Sequence, residues 1–119
     1  MKNLKDNSKK KILIIGYGSM GKKYENFLKK KYEIFFYDKF KLKKKNFLNN
    51  LKNIKKKKFL FSIILTPANK HKYYADIMLK NNINFLLEKP LSIKKDGWTK
   101  IIREIKRKKL ICSVGYPRR

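Results

Sequence analysis

Acidic residues are scarce in this sequence: eight Asp and Glu stand against 34 Lys and Arg over 119 residues, a formal net charge of +26. Cysteine occurs once, at Cys112, which excludes an internal disulfide. Inside the apolar run 110–114 that thiol reads as a buried strand residue rather than a nucleophile. Histidine also occurs once, at His71, and no metal site is expected. No apolar run approaches the length of a membrane span. The stretch Ile12–Ile15, behind a Lys-rich N-terminus, is too short for a signal-peptide core. A reducing, cytoplasmic setting with no membrane is the default that follows.

What is abundant is lysine, together with Asn, Ile, Phe and Tyr. AT-rich coding raises all five at once, and Lys is spread over every polar stretch rather than gathered on one. We therefore read the charge as compositional, with no more than non-specific attraction for nucleic acid. Hydrophobic residues make up 42% of the chain, enough for one core between a sheet and its helices, and the length fits one domain.

Apolar runs alternate with amphipathic stretches behind a loose basic tail, residues 1–10. Lys11–Gly16 (KILIIG) predicts a strand buried on both faces. Ser19–Lys30 predicts a helix with Met20, Tyr24, Phe27 and Leu28 on its inner face. Glu33–Tyr37 predicts a second strand, closed by Asp38. Phe40–Lys58 is Lys-rich and weakly patterned, and reads as a helix or an irregular crossover. Phe59–Leu65 predicts a third strand, stopped at Thr66-Pro67. A helix over Asn69–Asn81 follows, burying Tyr74, Met78 and Leu79 with Ile77 beside them, then a strand within Asn82–Leu87. Ser92 caps a helix to about Lys109, and Leu110–Val114 forms a fifth strand. This alternation predicts an α/β, Rossmann-type, doubly wound and mainly parallel sheet in a single domain, residues 11–119.

Gly16-Tyr17-Gly18-Ser19-Met20-Gly21 is a G-x-G-x-x-G between a predicted strand and a predicted helix. The first glycine permits the tight turn, the second lets backbone approach a pyrophosphate, and the third lets helix and strand pack closely. The helix N-terminus then offers N–H groups and partial positive charge to the phosphates. Asp38 lies 22 positions beyond Gly16, at the end of the second strand, where a carboxylate accepts hydrogen bonds from an adenosine ribose. It would repel a 2′-phosphate, which favours NAD over NADP. Lys39 and Lys41 lie close enough to soften that preference.

Three further segments narrow the reading. Thr66-Pro67-Ala68-Asn69-Lys70-His71 resembles the T-P-x-x-x-H segment of the Gfo/Idh/MocA family, the glucose–fructose oxidoreductases and inositol dehydrogenases. Glu88-Lys89-Pro90 is similar to that family's E-K-P signature, and Val114–Arg119 resembles its V-G-Y-x-R-R stretch. The resemblance runs from about Lys11 to Arg119. It implies that Gly16, Gly18, Ser19, Met20 and Gly21 surround the pyrophosphate and that Asp38 holds the ribose. It also implies that Thr66, Pro67, Asn69 and His71 line the cofactor pocket. Glu88 and Lys89 would lie near the nicotinamide, with Lys89 as the catalytic residue reaching the substrate. Lys at the carboxyl end of a strand suits that role on chemical grounds, since its ammonium can orient a hydroxyl as hydride leaves the carbon. Tyr116, Arg118 and Arg119 would edge a substrate site.

Relatives of this kind continue into a second α+β domain that forms the far wall of the substrate site. This sequence stops where that domain would begin, so a fragment, a truncated product or a partner-completed enzyme is expected. Two functions then compete. One is the cofactor half of an NAD(P)-dependent oxidoreductase acting on a sugar, polyol or nucleotide sugar. The other is a non-catalytic nucleotide-sensing or nucleic-acid-binding module reusing the fold. Lys89 separates them, because a pure binding module has no need of E-K-P.

Overall fold

The computed structural model describes residues 9–88, 103, 106–108 and 112–115. Its elements run β1 (Lys10–Ile15), α1 (Ser19–Leu28), β2 (Tyr32–Tyr37), a 3-10 turn (Ile54–Lys57), β3 (Phe61–Ile64), α2 (Ala68–Lys80), β4 (Phe85–Glu88) and β5 (Cys112–Gly115). The five strands form one sheet in the order β2-β1-β3-β4-β5, and every pair is parallel. The register sets Ile12 between Ile34 and Phe61, and Ile15 between Tyr37 and Ile64.

Alternation along β1 decides which layer each residue joins. Ile12 and Ile14 meet Ile34 and Phe36 on one face, where Tyr24 and Leu28 of α1 pack. Leu13 and Ile15 meet Ile64, Phe85 and Leu87 on the other, under Ala75, Met78 and Leu79 of α2. The four β1 residues Ile12–Ile15 have no accessible surface, so a helical layer lies on each side. Each such fully buried aliphatic side chain contributes about 1.5–3 kcal/mol. The sheet is doubly wound, as the alternating pattern predicted.

Several expectations are corrected. Met20 and Phe27 do not lie on the inner face of α1: they are 40% and 83% exposed. Gly21 is buried and, with Leu28, marks the face that meets the sheet. At 3.6 residues per turn, Met20 and Phe27 fall about 100° away from it. The fourth strand, expected within 82–87 as INFLL, is Phe85–Glu88, and Asn82 adopts a left-handed φ of 56° in the turn leaving α2. The third is shorter than Phe59–Leu65, although Phe59 is itself buried.

The ambiguous stretch 40–58 is an irregular crossover. Leu42 and Phe47 pack on the α1 face, whereas Leu48, Leu51 and Ile54 pack on the α2 face. No single helical stripe joins those positions, so the chain wraps round the outer edge of β2. There Phe47 makes one parallel bridge to Phe36, with Phe36 N–H donating to the Asn46 carbonyl and Leu48 N–H to the Phe36 carbonyl. This is a strand reduced to a single bridge. Of the helix expected over 92–109, Arg103 and Lys106–Lys108 are described and helical. The rest of that span, like residues 1–8, lies outside the described residues.

Candidate dinucleotide site

The order β2-β1-β3 reverses direction at β1 and β3. The connection from β1 carries α1 to one face, and the connection from β3 carries α2 to the other. A crevice opens between the two departures at the carboxyl ends of the strands, the position at which open α/β sheets bind ligands. Here it is a cleft of about 410 Å³ whose lining includes Gly16, Gly18, Asp38, Thr66, Pro67 and Asn69. Six residues named by sequence therefore meet in one place.

The three glycines of the turn are required for different reasons. Gly16 has φ +94°, and a Cβ there would lie 3.0 Å from the Leu65 carbonyl carbon and from the Thr66 nitrogen. Its N–H donates to the Tyr37 carbonyl at 2.8 Å, fastening the turn to β2. Gly21 is buried, and a Cβ would meet the Tyr17 ring at 3.0 Å and the Gly16 carbonyl at 3.1 Å. Gly18 is different. Its φ is −115°, outside the left-handed region, and a Cβ would find nothing within 4 Å. No contact within the protein accounts for glycine at this position, and the space beyond it faces the cleft. Gly18 also caps α1 without a side-chain hydrogen bond, and no acid lies in the first turn. The first-turn N–H groups, which no intrahelical carbonyl can satisfy, remain available to an anion.

Asp38 follows β2 and holds its carboxylate at the mouth of the cleft. Its Oδ2 accepts from the Tyr17 N–H at 3.2 Å, and its Oδ1 accepts from the Phe40 N–H at 3.4 Å. Across the crevice, Thr66 lines the wall with its Oγ1 buried and without a partner among the described residues. His71 is 1% exposed and does not line the cleft; its Nε2 meets the Thr66 carbonyl at 2.8 Å. It reaches the site through the backbone that carries Thr66. Ser19 and Met20 stand exposed in the first turn of α1, outside the lining. Glu88 closes β4 opposite Gly115. Its side chain, with Lys89, Tyr116, Arg118 and Arg119, lies outside the described residues.

Sequence reading missed Tyr17, Glu25 and Lys44. The Tyr17 hydroxyl donates to Glu25 Oε1 at 2.5 Å, and Lys44 Nζ donates to both Glu25 oxygens at 2.9 Å. Lys44 Nζ also lies 4.8 Å from the Tyr17 ring centroid and 5.1 Å from that of Phe36. Burial pushes the Glu25 carboxyl up, but hydrogen bonds from Tyr17 and Lys44 outweigh it and hold it below the usual range. Lys44 is raised, by its hydrogen bond to Glu25 first. Burial, then the bond to Glu25, raises Tyr17. The group is thus a carboxylate between an ammonium and a neutral phenol. One signal was available: Glu25 is among only eight acids, as Asp38 is.

The chain matches the family described as "Oxidoreductase family, NAD-binding Rossmann fold", Gfo/Idh/MocA, over residues 10–116. No curated protein sequence matches it. Among solved structures, an NAD-binding protein from Listeria innocua is similar at 21% identity, covering 90% of this chain and 35% of that one, with a TM-score of 0.76. UDP-N-acetylglucosamine 3-dehydrogenase GnnA from Acidithiobacillus ferrooxidans is similar at 15% identity, covering 88% and 37%, with a TM-score of 0.75. GenD2 from gentamicin A biosynthesis, solved in complex with NAD, is similar at 16% identity, covering 91% and 34%, with a TM-score of 0.75. At such identities the likeness is one of fold, and the chain spans about a third of the length of these structures. With the family match running almost from end to end, the chain belongs to the Gfo/Idh/MocA oxidoreductase family and carries its NAD-binding Rossmann fold.

Proposed function

We propose that this chain holds NAD, in preference to NADP, across the carboxyl edge of its sheet, as the cofactor part of an oxidoreductase acting on a sugar, polyol or nucleotide sugar. The observation that carries the reading is Gly18, whose missing Cβ leaves room that no protein atom fills. Gly16, Gly18 and the first turn of α1 would hold the pyrophosphate, and Asp38 the ribose. Thr66, Pro67 and Asn69 would form the opposite wall. His71 would hold Thr66 in place. NAD, when bound, supplies the hydride acceptor.

Lys89 follows β4 directly in sequence and is our candidate for the residue that orients the substrate hydroxyl, with Glu88 beside it. The substrate class draws support from the similar proteins, one named as a UDP-N-acetylglucosamine 3-dehydrogenase. Residues between Ile15 and Tyr74 line one wall of a cleft, and we assign the other wall to a second domain or a partner chain. Hydride transfer needs the reacting carbon held in near-attack geometry, which one wall does not provide. Cytoplasm is the proposed place of work. No helix among the described residues is long and apolar enough to cross a membrane.

NADH fluorescence titration, with NADPH in parallel, tests the binding claim; tighter NADPH than NADH would overturn the assignment of Asp38. NADH absorbance against a panel of sugars and polyols tests the rest. The chain alone is expected to be silent, and a fusion to a family-type second domain active. Lys89→Ala in that fusion should abolish turnover and spare NADH binding. Full turnover by the bare chain, or by the Lys89→Ala fusion, would refute the corresponding role.

A further inference from the structure

We propose that Tyr17, Glu25 and Lys44 form a latch that fixes the phosphate turn and Asp38 in binding geometry, so that Lys44, in the β2–β3 crossover, positions the site for the adenosine–pyrophosphate half of the cofactor. The inference rests on the reading of the cleft as an NAD site and ties Tyr17, which lines it, to Glu25 and Lys44, which do not.

Tyr17 stands between the first two glycines of the turn. Its N–H donates to Asp38 Oδ2 at 3.2 Å and its hydroxyl to Glu25 Oε1 at 2.5 Å. One residue thus joins the ribose carboxylate to the body of α1. Its ring is confined on three sides. The edge packs on Phe36, with centroids 5.3 Å apart. Lys44 Nζ sits 4.8 Å from its centroid. The ring also lies against Gly21, where an added Cβ would stand 3.0 Å from Tyr17 Cδ1.

Lys44 closes the arrangement by holding both Glu25 oxygens at 2.9 Å. The Lys44 and Glu25 side chains are 28% and 22% exposed, so water screens the pair only partly. Helix α1 does not need the latch to dock, because Tyr24 and Leu28 already pack its inner face on the sheet. What the latch orders is the turn. A glycine-flanked segment is costly to order, and a turn fixed before the ligand arrives removes that cost from binding.

The test measures binding of NADH, ADP-ribose and nicotinamide mononucleotide to the chain and to Tyr17→Phe, Lys44→Met and Lys44→Arg, with urea midpoints confirming that each is folded. Tyr17→Phe and Lys44→Met are expected to weaken ADP-ribose binding about fivefold to twentyfold, part of what a charge-assisted hydrogen bond is worth, because only the ordering of the turn passes on to binding. Nicotinamide mononucleotide binding should not change. Lys44→Arg should recover part of the lost ADP-ribose affinity, since it keeps the charge and the donors although its planar fork sits differently over the Tyr17 and Phe36 rings. The double variant should lose no more than the worse single, because both cuts break one network. Unchanged ADP-ribose affinity in a folded Lys44→Met, or a Lys44→Arg as weak as Lys44→Met, overturns the latch and leaves the cofactor reading standing. A parent chain that binds neither NADH nor ADP-ribose overturns the cofactor reading and the latch with it.

Discussion

The carboxyl edge of the sheet holds Gly16–Gly18, Asp38 and Leu65–Pro67; the amino edge holds Lys9–Lys11, Lys29–Lys31 and Lys55–Lys58, ten lysines at the start of β1 and in the segments that lead into β1, β2 and β3. The lysines that the sequence scatters are brought together by parallel strands: Lys11 and Lys57 both lie over the Phe35 ring, at 5.9 and 5.2 Å, and Lys9 Nζ donates to the Lys29 carbonyl. Left-handed backbone occurs at both edges, at Gly16 on one and Lys58 on the other. Only at the carboxyl edge does a glycine occupy it. The difference teaches where composition has been free to act. Lysine fills any exposed position whose chemistry is unconstrained, and the departures from lysine (glycine at 16 and 18, aspartate at 38) mark the positions that are constrained. No comparison favours the nucleic-acid-binding alternative, and the basic edge needs no function to explain it.

The sharpest way to break this contrast is within the glycine turn itself. Gly16→Val should cost roughly 3 kcal/mol of stability, from a positive φ and a Cβ pressed on the Leu65–Thr66 backbone. That is a large share of what a domain of this size has, so the urea midpoint should fall steeply. Gly18→Val should lower the midpoint only by the roughly 1 kcal/mol or less that valine costs at a helix N-cap, and weaken NADH binding about a hundredfold or more, because valine enters space no protein atom uses. A Gly18→Val as destabilised as Gly16→Val, or one that binds NADH as the parent does, would show that position 18 serves the fold rather than a ligand.

The same contrast explains what was legible. The strands of the core could be read because Ile12–Ile15 is a continuous apolar run and Phe61–Ile64 is broken only by Ser62, and buried parallel strands demand such runs. The phosphate turn could be read because its constraints are local and only glycine meets them. The inner face of α1 was misjudged because amphipathic spacing counts apolar residues, and a glycine, Gly21, sets the contact. The crossover 40–58 stayed open because its apolar residues serve two faces of the sheet in turn. Lys44 was invisible among so many lysines, since what distinguishes it is a partner 19 positions away.

Asp38 tests the cofactor side of the comparison at smaller amplitude. Asp38→Ala should narrow the preference for NADH over NADPH about tenfold, by removing a charge that repels a 2′-phosphate. It should also cost about 1 kcal/mol, since the Tyr17 N–H loses its acceptor. Asp38→Asn separates the effects: the amide oxygen can still accept from Tyr17, so stability should hold while the preference narrows. Paired titrations of both cofactors with a urea curve for each variant decide the matter. An Asp38→Asn that keeps the parent's preference would place the discrimination elsewhere, with Lys39 and Lys41 the nearest charges.

Lys58 carries the smallest effect and isolates the amino edge. Its φ of 56° and ψ of 52° are left-handed, and its N–H still donates to the Lys55 carbonyl at 3.2 Å, closing the 3-10 turn before β3. A side chain in that conformation costs about 1–2 kcal/mol through the approach of Cβ to the following carbonyl. Glycine relieves that cost, but it gives the unfolded chain more freedom, which takes back about 0.4–1 kcal/mol. The Lys58 side chain is exposed, so its removal gives up little packing. Lys58→Gly should therefore stabilise the domain by about 0.5–1 kcal/mol, read as a higher urea midpoint at unchanged slope. NADH affinity should stay within about twofold, because the residue lies at the opposite edge from the cleft. A lower midpoint would mean that lysine at 58 makes a contact worth more than the strain it carries, and the amino edge would then no longer stand as the unconstrained one.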